Sequence, residues 1–565
     1  MNASFYLDHH TETKPCRSAL DRWNMQPSSA ETDFLYDLVG AHKEDLFVFT
    51  SSNAEAIQQV FWSLFIERSR KEGKSHFLTT CLEDAPTLLG MKRLEELGCF
   101  VRIAPCDQRG CIDLKALAHL LNPRTALVSI TLAQGLTGVV QPLEEISQLC
   151  REHGTLLHVD ATYAVGKLPL QLGLSDYLTF SGDRMHGVKG SAALFAKSTA
   201  PLVPLLPGKN TDFASLSALN AAAQQAKLSM HLMGLEVARL RDRLEQGILA
   251  EIAGARVLFS ESLRLPNVSV IAFPHLHQET FLHRLHGDAT IGGDNHPHLY
   301  RILMSAGFDE RTAVSCISFS LSRTTTQEEV DRAIRACKEV YLERSHYAGS
   351  FSQEDAETRS MRLAIGRVGS PNDAIELALY WLVDPSDGVI ADAKFQAFGP
   401  PLLLDALDVA CELLIRKNYD QASRFSVDLI QHRLKNKPDA SFLNKILDAI
   451  DLAVGQCLDL PFASSHDQTP IEKTDGEFEG ILGWEHFSNE EKLKTLEEIV
   501  EQEIRPYIEL DAGGIHILGV KNSGEVRISY QGACTSCHSS TGSTLSAIQR
   551  ILRTHAHPSL SVIVE

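Results

Sequence analysis

Basic residues are in short supply. The chain carries 53 Lys and Arg against 72 Asp and Glu, a formal net charge of -19. Non-specific nucleic-acid binding needs a basic face, so no nucleic-acid partner is expected. The same deficit disfavours an anionic membrane surface. Long apolar runs are also missing. The longest uncharged stretch, Thr125 to Leu143, contains Ser, Thr, Gln and Gly, and it reads as a buried strand plus loop rather than a bilayer span. The segment Met1 to His10 lacks a basic region followed by an apolar one, so no secretory leader is expected. Of the 12 cysteines, ten stand singly, which is not a disulfide framework. A cytoplasmic, reducing compartment is the simplest expectation.

The remaining two cysteines are close together. They lie in Gly532-Ala533-Cys534-Thr535-Ser536-Cys537-His538-Ser539-Ser540-Thr541. Two thiolates at this spacing can bind one soft metal centre from a single loop. A length of 565 residues exceeds one core and predicts about three or four domains. Hydrophobic content of 44% and charged content of 22% fit an ordinary globular protein.

Up to about residue 345, short apolar strands alternate with helical stretches. Strands are expected at 46–50, 76–80, 100–104, 126–130 and 156–160. This βαβ rhythm predicts an α/β unit with a largely parallel sheet covered on both faces. A long helix near 215–247 and a smaller α+β part follow. A second unit is expected over 346–462, with strands at 375–382 and 389–398 and helices at 401–417, 419–434 and 442–458. Residues 463–483 are polar and acidic, with Pro470 and Gly476, and read as a linker. The last unit, 484–565, predicts a helix over 490–507 with a solvated charged face. A hairpin around Asn522-Ser523-Gly524 follows. The cysteine loop, a helix over 541–554 and a strand over 559–564 complete it.

Several strings in 1–345 resemble the NifS-type cysteine desulfurases: Phe49-Thr50-Ser51, Gly138-Val139-Val140-Gln141-Pro142, His158-Val159-Asp160-Ala161-Thr162, Val165-Gly166-Lys167-Leu168-Pro169 and Ser318-Phe319-Ser320-Leu321. The resemblance implies the fold of a pyridoxal-phosphate enzyme of the aminotransferase type (fold type I), abstracting sulfur from cysteine. That chemistry needs a lysine amine for the imine and a thiolate acceptor. The family's Ser-Gly-His-Lys reads Ser181-Gly182-Asp183-Arg184, and a guanidinium forms no imine. Asp84 follows Glu83 where the family has its ring-stacking histidine. Gln134-Gly135-Leu136-Thr137-Gly138 replaces Asn-Asn-Glu-Thr-Gly. The acceptor loop is shortened to Thr290-Ile291-Gly292-Gly293-Asp294, with no thiol. Asp160 survives at the position that pairs with the pyridine nitrogen, and it equally reads as a strand end capping the next turn. Lys167 and Lys189 stand where the family already has lysines serving other purposes. No catalytic residue is assigned, and pyridoxal phosphate is not expected.

The second unit resembles the IscU-like domain that opens NifU proteins. That family builds a cluster on three cysteines and an aspartate. Here Asp373 remains, while Asn372, Pro400 and Asn444 stand at or near the ligand positions. Cys411 and Cys457 are the only thiols of the unit, and Cys411 follows a helical core pattern.

The tail resembles the Nfu domain, a small α+β module, through Ile504-Arg505-Pro506, Leu510-Asp511-Ala512-Gly513-Gly514 and the Gly-Ala-Cys-x-x-Cys-x-Ser-Ser string. The resemblance implies that Cys534 and Cys537 bind one [4Fe-4S] cluster shared between two subunits, since two cysteines fill half of a Cys₄ set. Zinc and a dithiol–disulfide redox role remain open for the pair. The expected function is therefore iron–sulfur cluster assembly or delivery on non-catalytic upstream units. The expected partners are a second copy of the chain, apo iron–sulfur clients and an intact desulfurase or scaffold. A desulfurase-like enzyme with altered activity is the alternative.

Overall fold

The computed structural model describes the chain apart from residues 1–4, 12, 28, 209–210, 286–289, 292–295, 344, 435–439, 462–480, 482–483, 506–507, 509–512, 522–523 and 533–542. It divides into two compact units, Met1–Leu342 and Glu343–Glu565.

The strands of the first unit are β1 (Tyr6–Leu7), β2 (Leu46–Thr50), β3 (His76–Thr80), β4 (Phe100–Ala104), β5 (Thr125–Thr131), β6 (Leu156–Asp160), β7 (Tyr177–Ser181), β8 (Ala192–Ala196), β9 (Arg256–Leu258), β10 (Val268–Ala272), β11 (Thr290–Ile291) and β12 (Cys316–Ser320). Seven of them form one sheet in the order β2-β8-β7-β6-β5-β3-β4. Every residue of β5 and β8 is buried, as expected for strands covered on both faces. Only β8 breaks the parallel arrangement, running antiparallel to both β2 and β7. The connection from β7 to β8, residues 182–191, is too short for a parallel crossover. A second sheet, β12-β10-β9, is antiparallel. The long helix predicted near 215–247 spans Phe213–Leu232 and Ala238–Glu251, joined by a π-helical turn at Met233–Val237 that contains Gly234.

The second unit begins with an antiparallel sheet of β13 (Arg362–Val368), β14 (Glu376–Val383) and β15 (Ile390–Phe398). The sequence reading has no counterpart of β13. Its core gathers around Trp381 and the helices Pro401–Leu414 and Ala440–Val454. The single helix expected over 419–434 is two, Tyr419–Ala422 and Val427–Arg433. Gly366 lies directly beneath the last helix, and a Cβ there would stand 1.7 Å from the Ala449 carbonyl oxygen.

The tail contains β16 (Gly513–Val520), β17 (Glu525–Gly532) and β18 (Ser561–Val564) in the order β16-β17-β18. The first pair is an antiparallel hairpin, and β18 returns parallel to β17 after the helix Ser543–His555. Ile515, Ile528, Ile548, Leu552 and Val562 close a core with Leu496 and Val500. The helix expected over 490–507 is Asn489–Ile499, capped by Ser488 and Glu491, and passes into a π turn at Val500–Ile504. The expected linker lies outside the described residues apart from Ile481.

Candidate functional site

In open α/β sheets ligands sit beyond the carboxyl ends of the strands. At that edge of the first unit β3, β5 and β6 end at Thr80, Thr131 and Asp160. Asp160 is buried and holds three hydrogen bonds. Its Oδ1 accepts from the Thr162 backbone N–H at 3.0 Å and the Thr162 hydroxyl at 2.6 Å, and its Oδ2 accepts from Asn53 Nδ2 at 3.0 Å. It thus ends a strand and caps the following turn. Burial pushes its carboxyl up to about 6, against these hydrogen bonds. Asn53 opens the helix Asn53–Leu64, and its Oδ1 is buried without a partner among the described residues.

Beside Asp160 lies a group that the sequence reading passed over. Glu83 is 1% exposed, and its Oε1 accepts from the Thr80 hydroxyl at 2.6 Å and the Thr131 N–H at 2.9 Å. Its Oε2 has no partner among the described residues, and desolvation raises its carboxyl to about 8. Arg301 fixes this turn by donating to the Cys81 and Glu83 carbonyls at 2.6 and 2.9 Å. The neighbouring Asp84 stands 3.3 Å from His298 Nδ1.

Position 184 belongs to the same neighbourhood. The Arg184 guanidinium donates to the Thr11 carbonyl, lies 3.5 Å from Asp183 and sits 5.9 Å from the centre of the Tyr163 ring. Tyr163 in turn faces the Asp84 carboxylate. Its ring presses on the loop at Gly135, where a Cβ would come within 2.5 Å of it. Lys167 is partly buried and donates to the Tyr163 and Arg184 carbonyls at 3.0 and 3.4 Å. Burial and the Arg184 charge hold its amine below the usual lysine range. Lys189 is exposed in the turn before β8. Of the shortened loop, Thr290–Ile291 pairs with Tyr6–Leu7, and Gly292 to Asp294 lie outside the described residues.

In the second unit Asp373 Oδ2 accepts from the Ser370 backbone N–H at 2.8 Å and closes its own turn. Pro400 precedes the helix Pro401–Leu414, and Asn444 sits within Ala440–Val454. Cys411 and Cys457 are fully buried in the core.

Cys534 and Cys537 fall outside the described residues. Their flanks are described: β17 ends at Gly532 and a helix begins at Ser543.

Comparison with known proteins identifies the first unit. The class-V aminotransferase profile matches residues 31–333, more than half of the chain. The chain belongs to the class-V aminotransferase family. Its fold is that family's pyridoxal-phosphate fold type I, followed by NifU-like domains. The NifU-like N-terminal domain matches residues 340–456 and the NifU-like domain residues 496–563. A cysteine desulfurase of Nostoc sp. is 32% identical over 338 residues, covering 56% of this chain and 83% of the relative. The cysteine desulfurase NifS of Azotobacter vinelandii is 33% identical over 317 residues, covering 53% of this chain and 78% of the relative. A solved NifS-like protein superposes with a TM-score of 0.55 at 25% identity, covering 60% of this chain and 99% of that one. The two NifU-like matches link the chain to iron–sulfur cluster assembly. Among the described residues no helix is long and apolar enough to cross a membrane.

Proposed function

We propose that the chain binds an iron–sulfur cluster through Cys534 and Cys537 and hands it to apo client proteins. The observation that carries this reading is the position of both cysteines inside the NifU-like match, between β17 and the helix Ser543–His555. Two thiolates supply half of a Cys₄ set, so a [4Fe-4S] cluster would be shared between two copies of the chain. Deprotonated sulfur is the form that binds iron.

The first unit, in this reading, is a framework and not a desulfurase. An imine needs a lysine, and Arg184 is held by Thr11, Asp183 and the Tyr163 ring. The Asp160 carboxylate already accepts three hydrogen bonds from Thr162 and Asn53. Tyr163 rests against Gly135, with no space for a side chain there. These residues do not fit an imine-linked pyridoxal phosphate. The second unit holds Asp373 in its own turn, and its two thiols are buried, which supports a structural role there as well.

The experiment is anaerobic loading with iron and sulfide, followed by iron and acid-labile sulfide analysis and a visible spectrum. Wild type is expected to take up about four irons per two chains, and Cys534→Ser to lose nearly all of them. Wild-type protein without iron after loading would overturn the proposal. The relatives' desulfurase activity is the second reading, favoured by their 32–33% identity. It requires alanine release from L-cysteine, which we expect to be absent with and without added pyridoxal phosphate.

A further inference from the structure

Two single cysteines, distant in the sequence, meet at the edge of the large sheet. Parallel pairing of β3 with β4 places Thr80 opposite Ala104, where both strands end. Cys81 follows Thr80 directly, and Cys106 stands two residues beyond Ala104. They are 25 residues apart in the chain, and their Sγ atoms are 3.3 Å apart. The backbone fixes both ends. The Cys81 N–H donates to the Ala104 carbonyl at 3.3 Å, Arg301 grips the Cys81 carbonyl, and Cys106 bridges to Ile112. Cys81 is partly exposed, whereas Cys106 is buried. No other pair of cysteines among the described residues is hydrogen-bonded sulfur to sulfur.

We propose that Cys81 and Cys106 form a reversible dithiol–disulfide site whose oxidant is a hydroperoxide of the hydrogen peroxide class. A disulfide needs sulfurs about 2 Å apart, so closure takes a movement of about 1 Å, within reach of side-chain rotation. The chemistry is asymmetric. The hydrogen bond that joins the two sulfurs, with help from the Arg301 charge, lowers the Cys81 thiol below the usual cysteine range. Cys106 itself is pushed up, by that same bond and by burial, and keeps its proton. Cys81, the partly exposed sulfur of the two, is the attacking group, and the buried Cys106 resolves it.

Its sulfur attacks one peroxide oxygen, the O–O bond breaks, and the departing hydroxide is protonated to water. This leaves a sulfenic acid on Cys81. The Cys106 sulfur then attacks the Cys81 sulfur and loses its proton. The S–O bond breaks, the hydroxide leaves as the second water, and the S–S bond forms. Two thiols lose two electrons in total and one hydrogen peroxide becomes two waters. An external dithiol reverses the step by exchange. The bond would tie the turn holding Glu83 to the end of β4.

The test uses the full chain, fully reduced, exposed to hydrogen peroxide at pH 7.5, alkylated and digested with trypsin. The two sulfurs fall on separate peptides, residues 75–92 and 103–109, distinct from those of Cys111 and of Cys534 and Cys537. Mass spectrometry should find these two peptides linked, and dithiothreitol should separate them. In Cys106→Ser, Cys81 should instead accumulate sulfinic acid or a peroxide-dependent dimedone adduct. The buried Cys150 provides an internal control and should stay unoxidised. The proposal is overturned if wild type yields no linked peptide while Cys534 and Cys537 become oxidised. It is also overturned if Cys81 reacts no faster than Cys150.

Discussion

Glu83 gives the first unit a pH dependence of definite sign. In the unfolded chain its carboxyl ionises near its ordinary value of 4.5, whereas burial keeps it protonated to about pH 8 in the fold. Between these values the folded state binds the extra proton, so this contribution to stability is full below pH 4.5 and is lost as pH rises toward 8. Asp160, raised to about 6, acts in the same direction over a narrower window. The buried His158, lowered to about 3, acts oppositely and removes stability as pH falls below 6.5. Comparing wild type with Glu83→Gln isolates the first effect. The variant should gain on wild type by on the order of 3 kcal/mol between pH 5 and pH 8.5. Urea unfolding at both pH values measures it, and parallel stability curves would refute the assignment. At this scale the sequence was partly legible. Asp160 ends a run of apolar residues, and its capping of Thr162 is a local interaction. Glu83 was opaque, since a lone carboxylate beside Asp84 reads as surface until the ends of β3 and β5 fold over it.

At the scale of elements, the close crossing of the helix Ala440–Val454 over β13 makes a sharp prediction. Gly366→Ala would force its methyl group into the Ala449 carbonyl. Strand or helix must shift, at a cost of about 2 kcal/mol or more. A lowered urea midpoint for the second unit is the expected result, and an unchanged midpoint would show that the crossing is looser. The same strand explains what the sequence hid. Arg362, Arg367 and Gly366 interrupt the apolar pattern of β13, so no strand signal stands out. Its outer edge is satisfied by Gln456, whose amide bonds both the Ile365 N–H and carbonyl. The fully buried strand β5 was readable because burial on both faces leaves a largely apolar run, whereas β8 and β10, equally buried, were not expected as strands. The pairing of Cys81 with Cys106 lies beyond any local signal, because strand register alone joins positions 25 residues apart.

At the scale of the whole molecule, a desulfurase-like unit and two NifU-like domains share one polypeptide. If the first unit joins two chains, each tail meets its counterpart at a high effective concentration. Iron loading of the full chain should then be independent of protein concentration, while a chain lacking residues 1–345 should load only when concentrated. Light scattering should give twice the single-chain mass for the full chain before and after loading. Equal loading of both forms at low concentration would remove the upstream unit from this role.

The contact between Tyr163 and Gly135 also limits what a single substitution can do. Lysine at position 184 would supply an amine but leave an aromatic ring lodged beside it, resting on a loop shaped to receive that ring. Arg184→Lys alone is therefore expected to release no alanine from L-cysteine, and a variant that also shortens Tyr163 is the more informative test.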